Sequence, residues 1–146
     1  MNRLSSRGFS LVELAVTLVV FGLVLAFSIP SFQSFNTTQQ LTGATQNVAA
    51  QMRLMREIAI SSGTTQTMHF FYATFGGDYH IHTNGVVGAT WSLPRKITYY
   101  WGAGTSSVMQ TTPDGRVKFP GMVILQDQNS KRDTVSVLAS GLILTQ

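Results

Sequence analysis

The chain has 146 residues, enough for one domain with its own core and too few for two. Only 11% of them are charged, against roughly 25% in an ordinary soluble domain. The net charge of +4, from 10 basic and 6 acidic side chains, is too small an excess for a dedicated nucleic-acid groove. The absence of cysteine excludes disulfides, thiolate metal sites and a thiol nucleophile.

Arg3 and Arg7 come first, followed by FSLVELAVTLVVFGLVLAFSI from Phe9 to Ile29, in which 14 of 21 residues are Leu, Ile, Val or Phe. A helix of that length rises ~30 Å, the thickness of a bilayer's hydrocarbon core. The two arginines before it, with no basic residue after it until Arg53, predict a cytoplasmic N-terminus and an exported remainder. A cleaved secretory signal would use Ala26-Phe27-Ser28. Against it, Glu13 interrupts the apolar region, and the sequence beyond Pro30 continues as a helix in phase with the segment.

Past Pro30 the apolar pattern becomes one-sided. Leu41, Ala44, Val48, Met52, Met55 and Ala59 recur at intervals of three and four, with glutamines, Asn47 and Arg53 mostly on the other faces. The pattern predicts one helix from about Phe9 to Ile60, stopped by Ser61-Ser62-Gly63 and bent or loosened at Pro30 and near Gly43. Short β-branched and aromatic runs then predict strands at 65–72, 79–82, 97–101, 108–111, 117–119, 122–126, 134–139 and 142–144. Turn signals separate several of them: Gly76-Gly77-Asp78, Thr83-Asn84-Gly85, Pro113-Asp114-Gly115 and Gln128-Asn129-Ser130. Residues 85–90 and 102–107 read as loops. The fold class is α+β: a long N-terminal helix, its first half transmembrane, packed on a small antiparallel sheet or sandwich head. The segments are 1–8, a leader; 9–30, a transmembrane helix; 31–62, its amphipathic continuation; and 63–146, the β-rich head.

Arg7-Gly8-Phe9-Ser10-Leu11-Val12-Glu13, with Pro30 at the twenty-second position after Gly8, resembles the class III signal of type IV prepilins and type II secretion pseudopilins. The resemblance implies that a prepilin peptidase cuts between Gly8 and Phe9 and that the new N-terminal Phe9 is methylated. It implies that Glu13 and Pro30 serve assembly, the Glu13 carboxylate meeting the free amine of Phe9 on the next subunit. Taken by itself, Glu13 also fits a side chain snorkelling to the headgroups from near the helix end. One helix followed only by β structure is similar to the H-type minor pseudopilins of type II secretion (GspH) and to FimT-like minor pilins. That likeness rests on the helix end QMRLMREIAI, the Pro113-Asp114-Gly115-Arg116 turn and Gly141. It implies a structural subunit of a type II secretion pseudopilus or a type IV pilus, held in the bacterial inner membrane with its head outside. The partners implied are the peptidase and methyltransferase, other pilins or pseudopilins, and exported proteins.

Three constellations offer chemistry. His80 and His82 share a strand face and His69 lies in another strand, which suits either a metal site or exposed sheet-surface histidines. Asp127, Asn129 and Asp133 have calcium-loop spacing, but Lys131 and Arg132 between them oppose a cation, so a plain hairpin is expected. Arg95, Lys96, Arg116, Lys118, Lys131 and Arg132, with Trp91, Tyr99, Tyr100 and Trp101, are candidate single-stranded DNA contacts. FimT-like pilins that take up DNA use an arginine-bearing C-terminal segment, whereas this chain ends GLILTQ. No nucleophile, base and orienting group fall together, so no enzyme, cofactor or metal is expected.

Processing is directly measurable. Mass spectrometry of the membrane-extracted protein should find N-methyl-Phe9 at the start of a 138-residue chain, the 146 less the eight-residue leader. An N-terminus at Ile29 would point instead to signal peptidase.

Overall fold

In a computed structural model of the chain, residues 9–70 and 78–146 are described, and side chains within 28–34 are outside that description. The chain divides into two compact units, one ending at Asn36 and the other running Thr37–Gln146. Helix α1 (Leu11–Ser62) passes through Pro30 and Gly43 without interruption and carries both apolar patterns. It starts two residues later than expected because Ser10 caps it, and Gly63, at φ 63°, supplies the left-handed stop. From Phe9 to Phe27 every large apolar side chain is 52–86% exposed. Among the described residues no helix is long and apolar enough to cross a membrane. The helical stretch with described side chains, Leu11 to Phe27, is seventeen residues long, short of the ~20 a span takes.

The second unit holds two four-stranded antiparallel sheets. The strands are β1 (Gln66–Phe70), β2 (Tyr79–Thr83), β3 (Val86–Trp91), β4 (Thr98–Tyr100), β5 (Val108–Thr111), β6 (Gly121–Gln126), β7 (Arg132–Val137) and β8 (Ile143–Thr145). One sheet has the order β3-β2-β1-β5, the other β4-β6-β7-β8. Within this unit, Leu41, Ala44, Val48, Met52 and Met55 of α1 join one core with Met68, Phe70 and Met109 of the first sheet and Val123, Leu125, Val135 and Val137 of the second. The buried helix positions include all six marked by periodicity, with Thr45 and Ala49 beside them. Thr45 is tolerated there because its hydroxyl donates to the Leu41 carbonyl (3.0 Å). Gln66 is buried with both ends of its amide engaged, donating to Thr64 (2.9 Å) and accepting from Thr83 (2.6 Å).

Two expectations are corrected. Residues 86–91, most of them read as loop, form edge strand β3, which is joined to β2 by a two-residue turn at Asn84-Gly85 with φ of 50° and 80°. Both residues take the left-handed conformation that such a turn demands, closing a hairpin. Residues 117–119 are no strand. Val117 N–H donates to Ala139 O (3.0 Å) and Lys118 N–H to Gln110 O (2.9 Å), so this short segment bridges two partners and builds no ladder. The Gly76-Gly77 turn and the end of the 65–72 run lie outside the described residues.

The helix end, the Pro113–Arg116 turn and Gly141, far apart in sequence, meet in space. Arg56 Nε donates to the Gly115 carbonyl at 2.9 Å. A Cβ on Gly115 would stand 2.9 Å from Ile60 Cδ1 and 3.2 Å from Arg56 Nη2. One on Gly141 would stand 2.2 Å from the Gly115 oxygen and 2.5 Å from Arg56 Nε, at a backbone φ of 83°. Neither overlap is relieved by rotating the new methyl, and in both the φ itself disfavours a side chain. By contrast, a Cβ on Gly43 meets nothing within 4 Å. Thermal unfolding should therefore find Gly141→Ala destabilised by about 2 kcal/mol or more. Gly43→Ala should gain about 0.5–1 kcal/mol from helix propensity.

Candidate functional site

The N-terminal segment is built around the first turn of α1. Ser10 Oγ accepts the Glu13 N–H (3.2 Å), and Glu13 Oε2 accepts the Ser10 N–H (3.1 Å). This reciprocal pair is a capping box, legible in the sequence as Ser-x-x-Glu but passed over there in favour of the membrane charge. The carboxylate thus lies at the positive end of the helix dipole and spends one oxygen on the cap. Thr17 Oγ1 donates one turn on, to the carbonyls of Glu13 and Leu14. Phe9 precedes the helix and is 78% exposed. Gly8 lies outside the described residues, as does the side chain of Pro30.

The six cations marked as DNA contacts fall into two groups. Register pairs Thr98 with Gln126 and Gln126 with Arg132, which brings Arg95, Lys96, Lys131 and Arg132 to one end of the second sheet. Arg116 and Lys118 flank Val117, which is bonded to Ala139 beyond the other end of β7. The seven residue steps from Arg132 to Ala139 separate the groups by roughly 20 Å at ~3.3 Å each, about two Debye lengths at physiological salt. The aromatics are divided as well. Trp91 stacks on Tyr79 (5.5 Å), and half-buried Tyr99 packs edge-on to Phe70 (6.2 Å) while donating to the Asp78 carbonyl (3.3 Å). Burial pushes the Tyr99 phenol far above its ordinary range. Tyr100 lies under the Arg132 guanidinium (3.4 Å), and Trp101 is 53% exposed. Lys131 donates to Thr38 (3.5 Å).

Among the described residues no group of three or more His, Asp or Glu side chains is placed to hold a metal ion. Asp127 is 4% exposed, and its Oδ1 accepts the N–H groups of Asn129 (2.8 Å) and Lys131 (2.9 Å), tying the β6–β7 hairpin from inside. The three histidines do come together. His69 pairs with His80 across β1 and β2, with ring centroids at 5.4 Å, and His82 lies 4.7 Å from each. They are not surface residues throughout: His80 is 1% exposed, because β2 is flanked by both β1 and β3. The register sets Thr67, Val108, Val87 and Thr90 beside them, none of which carries a charge. Burial first, then repulsion from the neighbouring imidazoles, lowers the pKa of His69 and of His80 below the ordinary 6.5. The folded state therefore favours neutral rings, while the unfolded chain takes up protons near pH 6.5. Stability should be full above that pH and fall as pH drops below it. A melting curve series from pH 8 to pH 5 checks this, and His69→Gln should flatten the dependence.

Residues 3–29 match the family described as the prokaryotic N-terminal methylation motif. No curated protein matches the chain. Among solved structures, the Pseudomonas aeruginosa type IV minor pilin FimU superposes with a TM-score of 0.60 at 13% identity, over 77% of this chain and 92% of that one. A second crystal form of FimU gives 0.54 at 17% identity, covering 73% and 92%. The minor pseudopilin EpsH of the Vibrio cholerae type 2 secretion system gives 0.55 at 13% identity, over 73% and 96%. At such identities the structural likeness is one of fold, and the methylation motif is a separate signal from the other end of the chain. The chain therefore joins a methylation motif at residues 3–29 to an α+β fold similar to those of a type IV minor pilin and a minor pseudopilin.

Proposed function

We propose that this protein is a structural subunit of a type IV pilus or type II secretion pseudopilus, processed after Gly8 and methylated on Phe9. The carrying observation is that a methylation motif and a minor-pilin fold occur in one chain, in the order such a subunit needs. The first half of α1 anchors the precursor in the inner membrane, since the whole run Phe9–Ile29 has the length that a bilayer requires. Arg3 and Arg7 keep the N-terminus cytoplasmic and leave the head outside. In the filament the same side chains, 52–86% exposed in the isolated chain, pack against the helices of neighbours. Catalysis forms no part of this role. DNA uptake has less support, because the six candidate cations are split between two ends of a sheet.

Glu13 sets the register. Its second oxygen meets the methylated amine of Phe9 on an adjacent subunit, and each group offsets the other's loss of water in a low-dielectric core. Two substitutions separate this from capping. Glu13→Leu removes both the cap and the charge; Glu13→Gln keeps an acceptor for the Ser10 N–H and removes only the charge. Both variants should insert in the membrane and be cleaved, since the costliest residue of the span is lost and the cut bond is untouched. Both should be missing from sheared filaments, about tenfold or more below the parent, as expected when one partner of a buried pair is deleted. If Glu13→Gln enters filaments like the parent, the carboxylate acts only as a cap and the register argument fails.

A further inference from the structure

Two open recesses flank Ser140 on the head. One, of 340 Å³, is lined by Arg53, Arg56 and Glu57 of α1 and by residues 140–143. The other, of 550 Å³, is lined by Thr112, Arg116, Val117, Lys118 and residues 139–140. Because both border Ser140, they form one groove across the junction of the helix end with two turns. Four cations edge it against two acids, Glu57 and Asp114, an excess of two. The remainder of the Thr37–Gln146 unit has four cations against three acids, an excess of one. Asp114 is already engaged, paired with Arg116 (3.5 Å) and accepting from the Thr112 hydroxyl, which holds its pKa below the usual carboxylate range.

The arginines of the first recess are positioned by backbone and not by carboxylates. Arg56 donates through Nε to Gly115 O, and Arg53 through Nη2 to Ile143 O at 3.3 Å. Each guanidinium has five N–H donors in a fixed fork, so one bond to a carbonyl orients it and leaves others to serve a carboxylate. Leu142, 52% exposed, lines the first recess beside Arg53 and Arg56. No aromatic side chain lines either recess, so the stacking platform that single-stranded nucleic acid uses is missing here.

We propose that this groove is a docking site for an acidic peptide segment of a neighbouring filament subunit, its carboxylates taken by Arg53, Arg116 and Lys118 and an apolar side chain resting on Leu142. That the segment comes from a neighbouring subunit rests on the filament reading above; that the groove takes peptide carboxylates does not. The test uses the detergent-solubilised full chain and a fluorescein-labelled hexaglutamate peptide ending in leucine, followed by anisotropy at low salt. The parent should bind the peptide, and the double variant Arg116→Gln/Lys118→Gln should bind it about tenfold more weakly or worse. Arg95→Gln/Lys96→Gln removes the same charge from exposed positions outside the groove and should change affinity by less than about twofold, the part owed to long-range field alone. Far-UV circular dichroism verifies that both variants stay folded. The proposal is overturned if the parent does not bind, or if both doubles lose affinity equally. It is also overturned if a thymidine oligonucleotide of matched charge binds more tightly than the peptide. None of these outcomes depends on incorporation into filaments, so a failure here leaves the assembly reading standing and the converse holds as well.

Discussion

The head is organised by one stripe on a helix. Between Leu41 and Ala59, α1 places an apolar side chain every three or four residues into the space between two small sheets. Neither sheet could bury its inner face alone, since four strands of three to six residues offer little area. With the helix laid along them, Met68 and Phe70 from one sheet and Val123, Leu125, Val135 and Val137 from the other share one core. At about 1.5–3 kcal/mol per buried large side chain, that seam is the dominant stabilising contribution in the unit. The methionines at 52, 55, 68 and 109 suit a junction of three elements, where unbranched side chains fill irregular space.

A second constraint fixes where the helix ends relative to the sheets within that unit. The Arg56 bond to Gly115 and the close approach of Gly141 pin the helix end to two turns that belong to different parts of the chain. Apolar contact is nondirectional and would tolerate some sliding along the helix axis. A bond from a guanidinium to the carbonyl of one glycine, with a second glycine packed against both, tolerates very little. The same pinning leaves the recesses on either side of Ser140 and orients the arginines in them, so the groove is a consequence of how the fold is locked.

Much of this was legible in the sequence, because the signals were periodic or tied to a backbone requirement. The helix stripe obeyed the 3.6-residue period, and Gly63 and Asn84-Gly85 marked left-handed positions that the structure uses. What could not be read was non-local. Strand β3 has an exposed outer edge and a register shift opposite His80 and His82, so its sequence VVGATW shows no alternation. The Asn-Gly pair before it was the better guide, as a two-residue turn needs a strand on both sides. Residues 117–119 have strand composition but split their hydrogen bonds between Gln110 and Ala139. His80 looked like a face residue by alternation; the two flanking strands that bury it are set by sheet order, which local pattern does not encode. The six cations were grouped by type, while register assigns them to opposite ends of β7. Arg53 reads from periodicity as part of the polar face and Arg56 only as part of the helix-end motif; their backbone acceptors are non-local.

At the other end of the chain, the capping box changes how the membrane charge is understood. On the filament reading the subunit waits in lipid before assembly, where an unpartnered carboxylate carries a heavy desolvation cost. Glu13 lowers that cost with its own chain: one oxygen bonds the Ser10 N–H, and the charge sits in the first turn, where the helix dipole is positive. Under the filament reading the waiting subunit is therefore only partly satisfied, with one carboxylate oxygen and one N-terminal ammonium each short of a strong partner. Two such subunits side by side cancel both deficits by pairing the amine of one with the acid of the other, but only at the axial offset that brings the two groups to the same depth. A uniformly apolar helix would slide freely among its neighbours, since every depth buries similar surface. The single charge breaks that degeneracy, and its capping bond keeps the cost of carrying it low until a partner arrives.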